Sequence, residues 1–142
     1  MSKQRINEYL PLAYKALDAC GIAKNGAVDS ALRGQIAAFG AAVSLGSLLP
    51  AIAFFSERGK AASERQDLMK AIHWIMLKSD GTENNEIIAS PEGLFKQALG
   101  MNFDKMEAFR ERILDAAVAL KLAMNLYKRS TGEELKKGGE PS

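Results

Sequence analysis

Hydrophobic residues recur every three or four positions along most of this chain, which is the period of an amphipathic helix. A first helix carries apolar positions from Ile6 to Leu17 and is predicted to end at Gly21, while Ser63 and Gln66 form a capping box that predicts the start of another helix. The clearest pattern predicts a long last helix, with apolar steps at Phe103, Met106, Phe109, Ile113, Ala117, Leu120, Met124 and Tyr127. Because no run of alternating β-branched residues is long enough for a strand, the pattern predicts an all-α fold, a compact single-domain bundle of five to six helices.

The central segment 34–56 contains 23 consecutive residues without a charge, which is long enough to span a bilayer. Its polar residues and Pro50 instead favour a buried helix pair at the centre of a soluble domain, broken at Gly46-Ser47. The small residues between Ala37 and Ser44 predict a nearly flat helix surface that another backbone could approach closely. No membrane span is therefore expected.

The remaining segments are read as connectors, one short helix and a tail. Residues 80–86 are polar and acidic, and the short helix that follows is predicted to have Ser90 as its N-cap, Pro91 at its first position and Gly100 just past its end. The helical domain is expected to cover residues 1–129 and a flexible C-terminal tail residues 130–142. The polar start of the chain predicts no signal peptide.

Composition narrows the chemistry, because the 142 residues include one His, one Cys and one Trp. The lone Cys20 excludes an internal disulfide and a cysteine zinc site, so a cytoplasmic protein is expected. His73 stands beside Trp74 at helical spacing and is read as a packing residue. The glycines at 21 and 26 lack the Lys-Ser/Thr pair of a phosphate-binding loop. These observations predict a protein that is not an enzyme and holds no cofactor or metal.

The formal net charge is only +2 and is unevenly distributed. Residues 79–92 hold acidic side chains and no base, whereas residues 93–129 have more bases than acids. Such a small excess does not by itself predict a nucleic-acid partner, and no aromatic–basic interleaving of the single-strand-binding kind is recognised. The carboxylates of the last helix are read as a solvated or partner-facing charged edge rather than a metal site: Asp104, Glu107, Glu111 and Asp115.

Three groups of residues carry a resemblance to a known family. Residues 39–55 resemble the central signature of the small helical subunit of type III-B CRISPR effectors, the Cmr complexes. Phe39-Gly40 stands at the family's Leu-Pro, Gly46-Ser47-Leu48 at its Asn-Gly-Leu, and Ile52-Ala53-Phe54 at its Leu-Ala-Phe. The Leu68–Met76 segment resembles the family's amphipathic helix, and Leu122 to Arg129 resembles its closing hydrophobic-Lys-Arg motif.

The resemblance implies a non-catalytic, RNA-binding structural subunit of a complex for antiviral defence. The implied partners are other subunits of the effector complex, copies of the chain stacked head-to-tail, and the target RNA and guide-RNA duplex, held through backbone contacts. On this reading the phosphate contacts are Lys15, Arg33, Lys121, Lys128 and Arg129. Two alternatives remain open: a helical protein–protein adaptor with no RNA role, and an enzyme that uses His73 with the carboxylates of 104–115.

Overall fold

The computed structural model describes residues 2–57, 63–81 and 88–130. Within these ranges the chain forms six helices and two three-residue strands, which confirms the predicted all-α bundle. In chain order the elements are α1 (Lys3–Ala19), β1 (Ala27–Asp29), α2 (Ser30–Leu45), α3 (Leu48–Phe55), α4 (Ser63–Asp80), α5 (Gly93–Ala98), α6 (Phe103–Met124) and β2 (Lys128–Ser130).

Helix α6 is the central element and packs against α1, α2 and α4. Four of its buried positions are alanines, which allow neighbouring helices to approach closely: Ala116, Ala117, Ala119 and Ala123. Side-chain contacts give the directions of the neighbours. Helix α1 runs the same way as α6, since Arg5 contacts Asp115 and Tyr14 contacts Tyr127. Helix α2 runs the opposite way, because its first turn contacts the last residue of α6 and its last turn contacts Arg110.

The charge-free segment breaks where its sequence predicts. Helix α2 ends at Leu45, and Ser47 occupies the N-cap position of α3. The prediction that the helix pair is buried at the centre is wrong for one side of α2, where Ala37, Ala38, Ala41 and Ala42 are exposed. The larger side chains of α2 take the core positions, so the small ones face outward. None of the described helices is long and apolar enough to cross a membrane.

A short parallel ladder between β1 and β2 contradicts the prediction that the chain has no strands. Its register pairs Ala27 with Lys128 and Val28 with Arg129, and the Lys128 amide also donates to the Gly26 carbonyl at 3.1 Å. The two paired strands are about one hundred residues apart in sequence, so no local pattern predicts their pairing. Helix α6 ends at Met124, so Tyr127, which was predicted to lie inside the last helix, lies beyond it.

The ends of α4 and α5 also differ from expectation. The Gln66 side chain donates to the Glu57 carbonyl, and the Ser63 half of the predicted capping box lies outside the described side chains. Helix α5 begins at Gly93 with Glu92 in the N-cap position, so Ser90 is not its cap. The predicted acidic connector falls largely, and the predicted tail almost entirely, outside the described residues.

Candidate nucleic-acid interface

The five predicted basic residues lie on elements that meet where α6 ends. Lys121 is in the last turn of α6, and Lys128 and Arg129 belong to β2. The ladder joins β2 to β1, and α2 starts directly after β1, which places Arg33 within reach of Met124. Lys15 follows Tyr14, whose ring stacks on Tyr127. The parallel α1–α6 and antiparallel α2–α6 pairings therefore gather this set, called the basic end below, from three separate parts of the sequence.

Arg33 differs from the other four because both of its terminal nitrogens donate hydrogen bonds within the chain. Its Nη1 donates to the Asn125 Oδ1 at 2.5 Å and its Nη2 donates to the Met124 carbonyl, which caps the end of α6. Its Nε is buried and has no hydrogen-bond partner among the described residues. Desolvation by burial, followed by the nearby charge of Arg129, lowers the pKa of Arg33 below its ordinary value. Arg33 thus positions the segment that carries Lys128 and Arg129 and adds its charge to theirs.

The other four bases are exposed: Lys15, Lys121, Lys128 and Arg129. Two described carboxylates lie near these bases, one in β1 and one in the last turn of α1. Asp29 is buried and accepts a 2.9 Å hydrogen bond from the Ala31 amide as the N-cap of α2, while Asp18 is exposed on α1 near Tyr127. Among the described residues, bases outnumber acids at this end, so we expect a positive local potential even though the net charge of the whole chain is only +2.

A shallow depression of about 230 Å³ leads away from the basic end between α2 and α6. Lys121 stands on its wall, and its floor is made of small or apolar side chains such as Gly40 and Ala117. The small residues that predicted a flat surface on α2 line this depression between α2 and α6.

Sequence reasoning missed the aromatic part of this region. The rings of Tyr14 and Tyr127 stack with their centroids 5.0 Å apart and their planes at 27°. The stacked pair places aromatic side chains at the basic end, and the sequence pattern alone did not indicate this pairing. Each tyrosine directly precedes a lysine, Lys15 or Lys128, and this was the available signal. The pairing of the two segments, 113 residues apart, is visible only in the fold.

Two residues of the enzyme alternative, His73 and Asp115, are buried and engaged in internal contacts. His73 is buried on α4, where its Nδ1 accepts a 3.1 Å hydrogen bond from the Ser90 amide. Asp115 is fully buried and pairs with Arg5, so its assignment to a solvated or partner-facing edge is wrong. Glu107 and Glu111 are on the surface and flank Arg110. Among the described residues, no group of three or more His, Cys, Asp or Glu side chains is placed to hold a metal ion.

Comparison of the chain with family models, curated proteins and solved structures gives no match.

Proposed function

We propose that this chain is a non-catalytic structural subunit of a type III-B CRISPR RNA-guided effector complex. In this role it stacks in the inner filament, helps line the target-RNA channel and contributes to antiviral defence. The observation that carries the RNA part is the convergence of Lys15, Lys121, Lys128 and Arg129 at the basic end. The identity of the complex rests on the motif resemblance in residues 39–55, 68–76 and 122–129.

Backbone contact is the mode of binding that these residues favour. Lysine and arginine side chains on an exposed surface neutralise phosphates without reading bases, so affinity is independent of sequence and falls with salt. Target choice in an RNA-guided complex is made by base pairing with the guide, and a subunit of this kind needs no base-specific contact. An exposed cluster with few acids among its described neighbours is suited to that task.

The salt dependence of RNA binding tests this directly. Fluorescence anisotropy of a labelled single-stranded RNA, titrated with the full chain at several salt concentrations, gives the slope of log affinity against log salt. Removing two phosphate contacts in a Lys128→Ala, Arg129→Ala double variant is expected to reduce that slope by about 1.4. Lys105→Ala is the matched control, because Lys105 is exposed at the opposite end of α6. A double variant that keeps the wild-type slope and affinity would count against the basic end as the RNA surface.

Arg33 is not part of the double variant because it has a structural role in addition to its charge. Its guanidinium caps α6, so loss of binding in an Arg33 variant would report a displaced β2 as readily as a lost phosphate contact. The Lys128 and Arg129 side chains are both exposed, and their truncation leaves the backbone ladder with β1 in place.

The effector assignment has its own test. A subunit of such a complex is encoded among other CRISPR-associated genes and co-purifies with their products and with guide RNA. Co-expression with those neighbours, followed by affinity purification, is expected to recover an RNA-containing assembly. Recovery of the chain free of RNA and of those subunits would overturn the assignment while leaving the RNA-binding measurement above to stand alone.

Contacts between copies are part of the proposal, because head-to-tail stacking requires two different surfaces on each chain. Exposed apolar side chains supply candidates at both ends of the α2–α6 pair. Leu45 is 90% exposed and Phe103 is 78% exposed at one end, while Leu126 is 67% exposed at the basic end. Light scattering at increasing protein concentration is expected to show association in the wild type that a Leu45→Glu, Phe103→Glu variant loses.

The same exposed side chains favour a second candidate, a helical protein–protein adaptor with no RNA role. Large apolar residues this exposed are typical of contact surfaces. The two candidates differ in one measurement: an adaptor binds its partner with affinity unaffected by the Lys128→Ala, Arg129→Ala change and brings no RNA through purification.

A further inference from the structure

The stacked tyrosines at the basic end leave one aromatic surface open to solvent. One face of the Tyr14 ring lies against Tyr127, yet the Tyr14 residue is 44% exposed. Because that face lies against Tyr127, we assign the exposed surface of the Tyr14 ring to its opposite face and its rim. An exposed aromatic ring that is already ordered by a stacking partner loses little conformational freedom when a ligand packs on it.

Tyr127 is the support of this arrangement and is held on several sides. Its hydroxyl donates to the Tyr14 carbonyl at 3.3 Å, and its own amide donates to the Met124 carbonyl at 3.2 Å. The next residue, Lys128, enters the ladder with β1. Burial, with smaller contributions from Tyr14 and Asp18, raises the pKa of Tyr127, so this hydroxyl stays a donor at neutral pH.

Basic residues directly follow both tyrosines in the chain, and a stacking site for a polynucleotide strand needs bases near its aromatic ring. Lys15 follows Tyr14 in α1, and Lys128 and Arg129 follow Tyr127. Asp18, one turn after Tyr14, is the acidic residue described on this part of α1. An aromatic face flanked by bases is how proteins hold single strands, because each base has a π-face that stacks while the neighbouring phosphates pair with lysine or arginine.

We propose that the open face of Tyr14 is a stacking site for one unpaired nucleobase, with Lys15 and Lys128 on the phosphates to either side. This inference rests on the proposed function, because it needs an RNA strand at the basic end. It adds that the strand is single-stranded at this point. A base inside a duplex is already stacked on both faces and is not available to the ring.

The test uses RNA with 2-aminopurine at one position, since stacking quenches the fluorescence of this base. Wild-type protein is expected to quench the probe and to bind a single strand more tightly than a duplex of equal length. Tyr14→Leu keeps an apolar side chain but removes the ring. It is expected to abolish the quench and weaken binding by about 5- to 100-fold at unchanged salt slope. Tyr14→Phe is the matched control and is expected to behave as the wild type, because the Tyr14 contribution to the stack comes from its ring and its carbonyl.

An RNA series makes the test independent of how well any variant folds. Wild-type protein is titrated with an intact single strand and with the same strand carrying contiguous abasic sites, which retain every phosphate. The abasic strand is expected to bind more weakly by the same factor that Tyr14→Leu produces, and the two changes together are expected to add little. Equal affinity for intact and abasic strands would overturn the stacking site.

The two proposals fail in different ways. If Lys128→Ala, Arg129→Ala lowers the salt slope while Tyr14→Leu and the abasic strand bind as tightly as the originals, the RNA surface stands and the stacking site is refuted. If the wild type binds neither intact nor abasic RNA with any dependence on salt, the proposed function fails and the stacking site fails with it.

Discussion

The ion pair between Arg5 and Asp115 fastens the start of α1 to the middle of α6 and makes a quantitative prediction. Asp115 is 0% exposed, and its Oδ2 lies 2.8 Å from the Arg5 Nη1. Its Oδ1 accepts a 3.2 Å hydrogen bond from the Ser2 amide, and the Ser2 hydroxyl in turn caps α1 at the Arg5 amide. Removing Arg5 therefore leaves a buried carboxylate with one neutral donor from the chain.

We expect Arg5→Leu to lower the free energy of unfolding by about 2–3 kcal/mol. Loss of one partner of a fully buried pair costs about 3–5 kcal/mol, but the Arg5 side chain is 35% exposed, so water partly replaces it. Asp115→Asn retains the shape and an acceptor oxygen, and its expected loss is smaller, about 1–2 kcal/mol. Replacing both residues by leucine removes the stranded charge and is expected to recover much of the loss.

Urea unfolding followed by circular dichroism at 222 nm measures these differences. With a slope of about 2 kcal/mol per molar urea for a domain of this size, Arg5→Leu is expected to lower the midpoint by about 1–1.5 M. Lys3→Leu, an exposed change on the same helix, is the control and is expected to stay within about 0.5 kcal/mol of the wild type. The reasoning fails if Arg5→Leu behaves like the control, or if the double leucine variant is less stable than Arg5→Leu alone.

Three further predictions concern other parts of the molecule. Gly93→Ala places a Cβ 2.1 Å from the His73 ring and is expected to destabilise the protein by about 1–3 kcal/mol in thermal unfolding. Gly34→Ala is the control: its Cβ would have no neighbour within 4 Å, and the change is expected to be neutral or stabilising by up to about 1 kcal/mol. Because folding raises the pKa of Tyr127, the contribution of its hydroxyl to the free energy of unfolding is complete at neutral pH and is lost as pH rises above about 10. A Tyr127→Phe protein should lack this alkaline loss in unfolding curves taken across that range. Arg33→Ala is expected to lower the free energy of unfolding by about 1–2 kcal/mol and to speed amide hydrogen exchange in residues 125–129. Arg33→Lys should restore little of this loss, since one ammonium group does not replace the two hydrogen bonds of the guanidinium. Amide exchange unchanged from the wild type would contradict the capping role.

The helices were predictable because their signals are local. Three of these signals depend only on neighbours within one or two turns: the apolar step of three or four residues between Phe103 and Met124, the break at Gly46-Ser47, and the end of the first helix near Gly21. The same local evidence predicted a packing role for His73, which the buried ring confirms. Cap assignments were less secure, since Gln66 found a partner in Glu57, outside its own helix.

What the sequence by itself determined is the helical period, the supply of small residues for close packing, and the scarcity of His and Cys. Only the tertiary structure decided which charges belong together, because the pairings join positions about one hundred residues apart: Arg33 with the end of α6, β1 with β2, and Tyr14 with Tyr127. The tertiary structure also buries Asp115, which the sequence pattern placed on the surface, because the packing of α1 on α6 brings Arg5 next to its carboxylate. Periodicity shows which face of a helix is apolar. Which other helix packs against that face depends on how apolar surface is buried over the whole chain, and a local stretch of sequence does not show this.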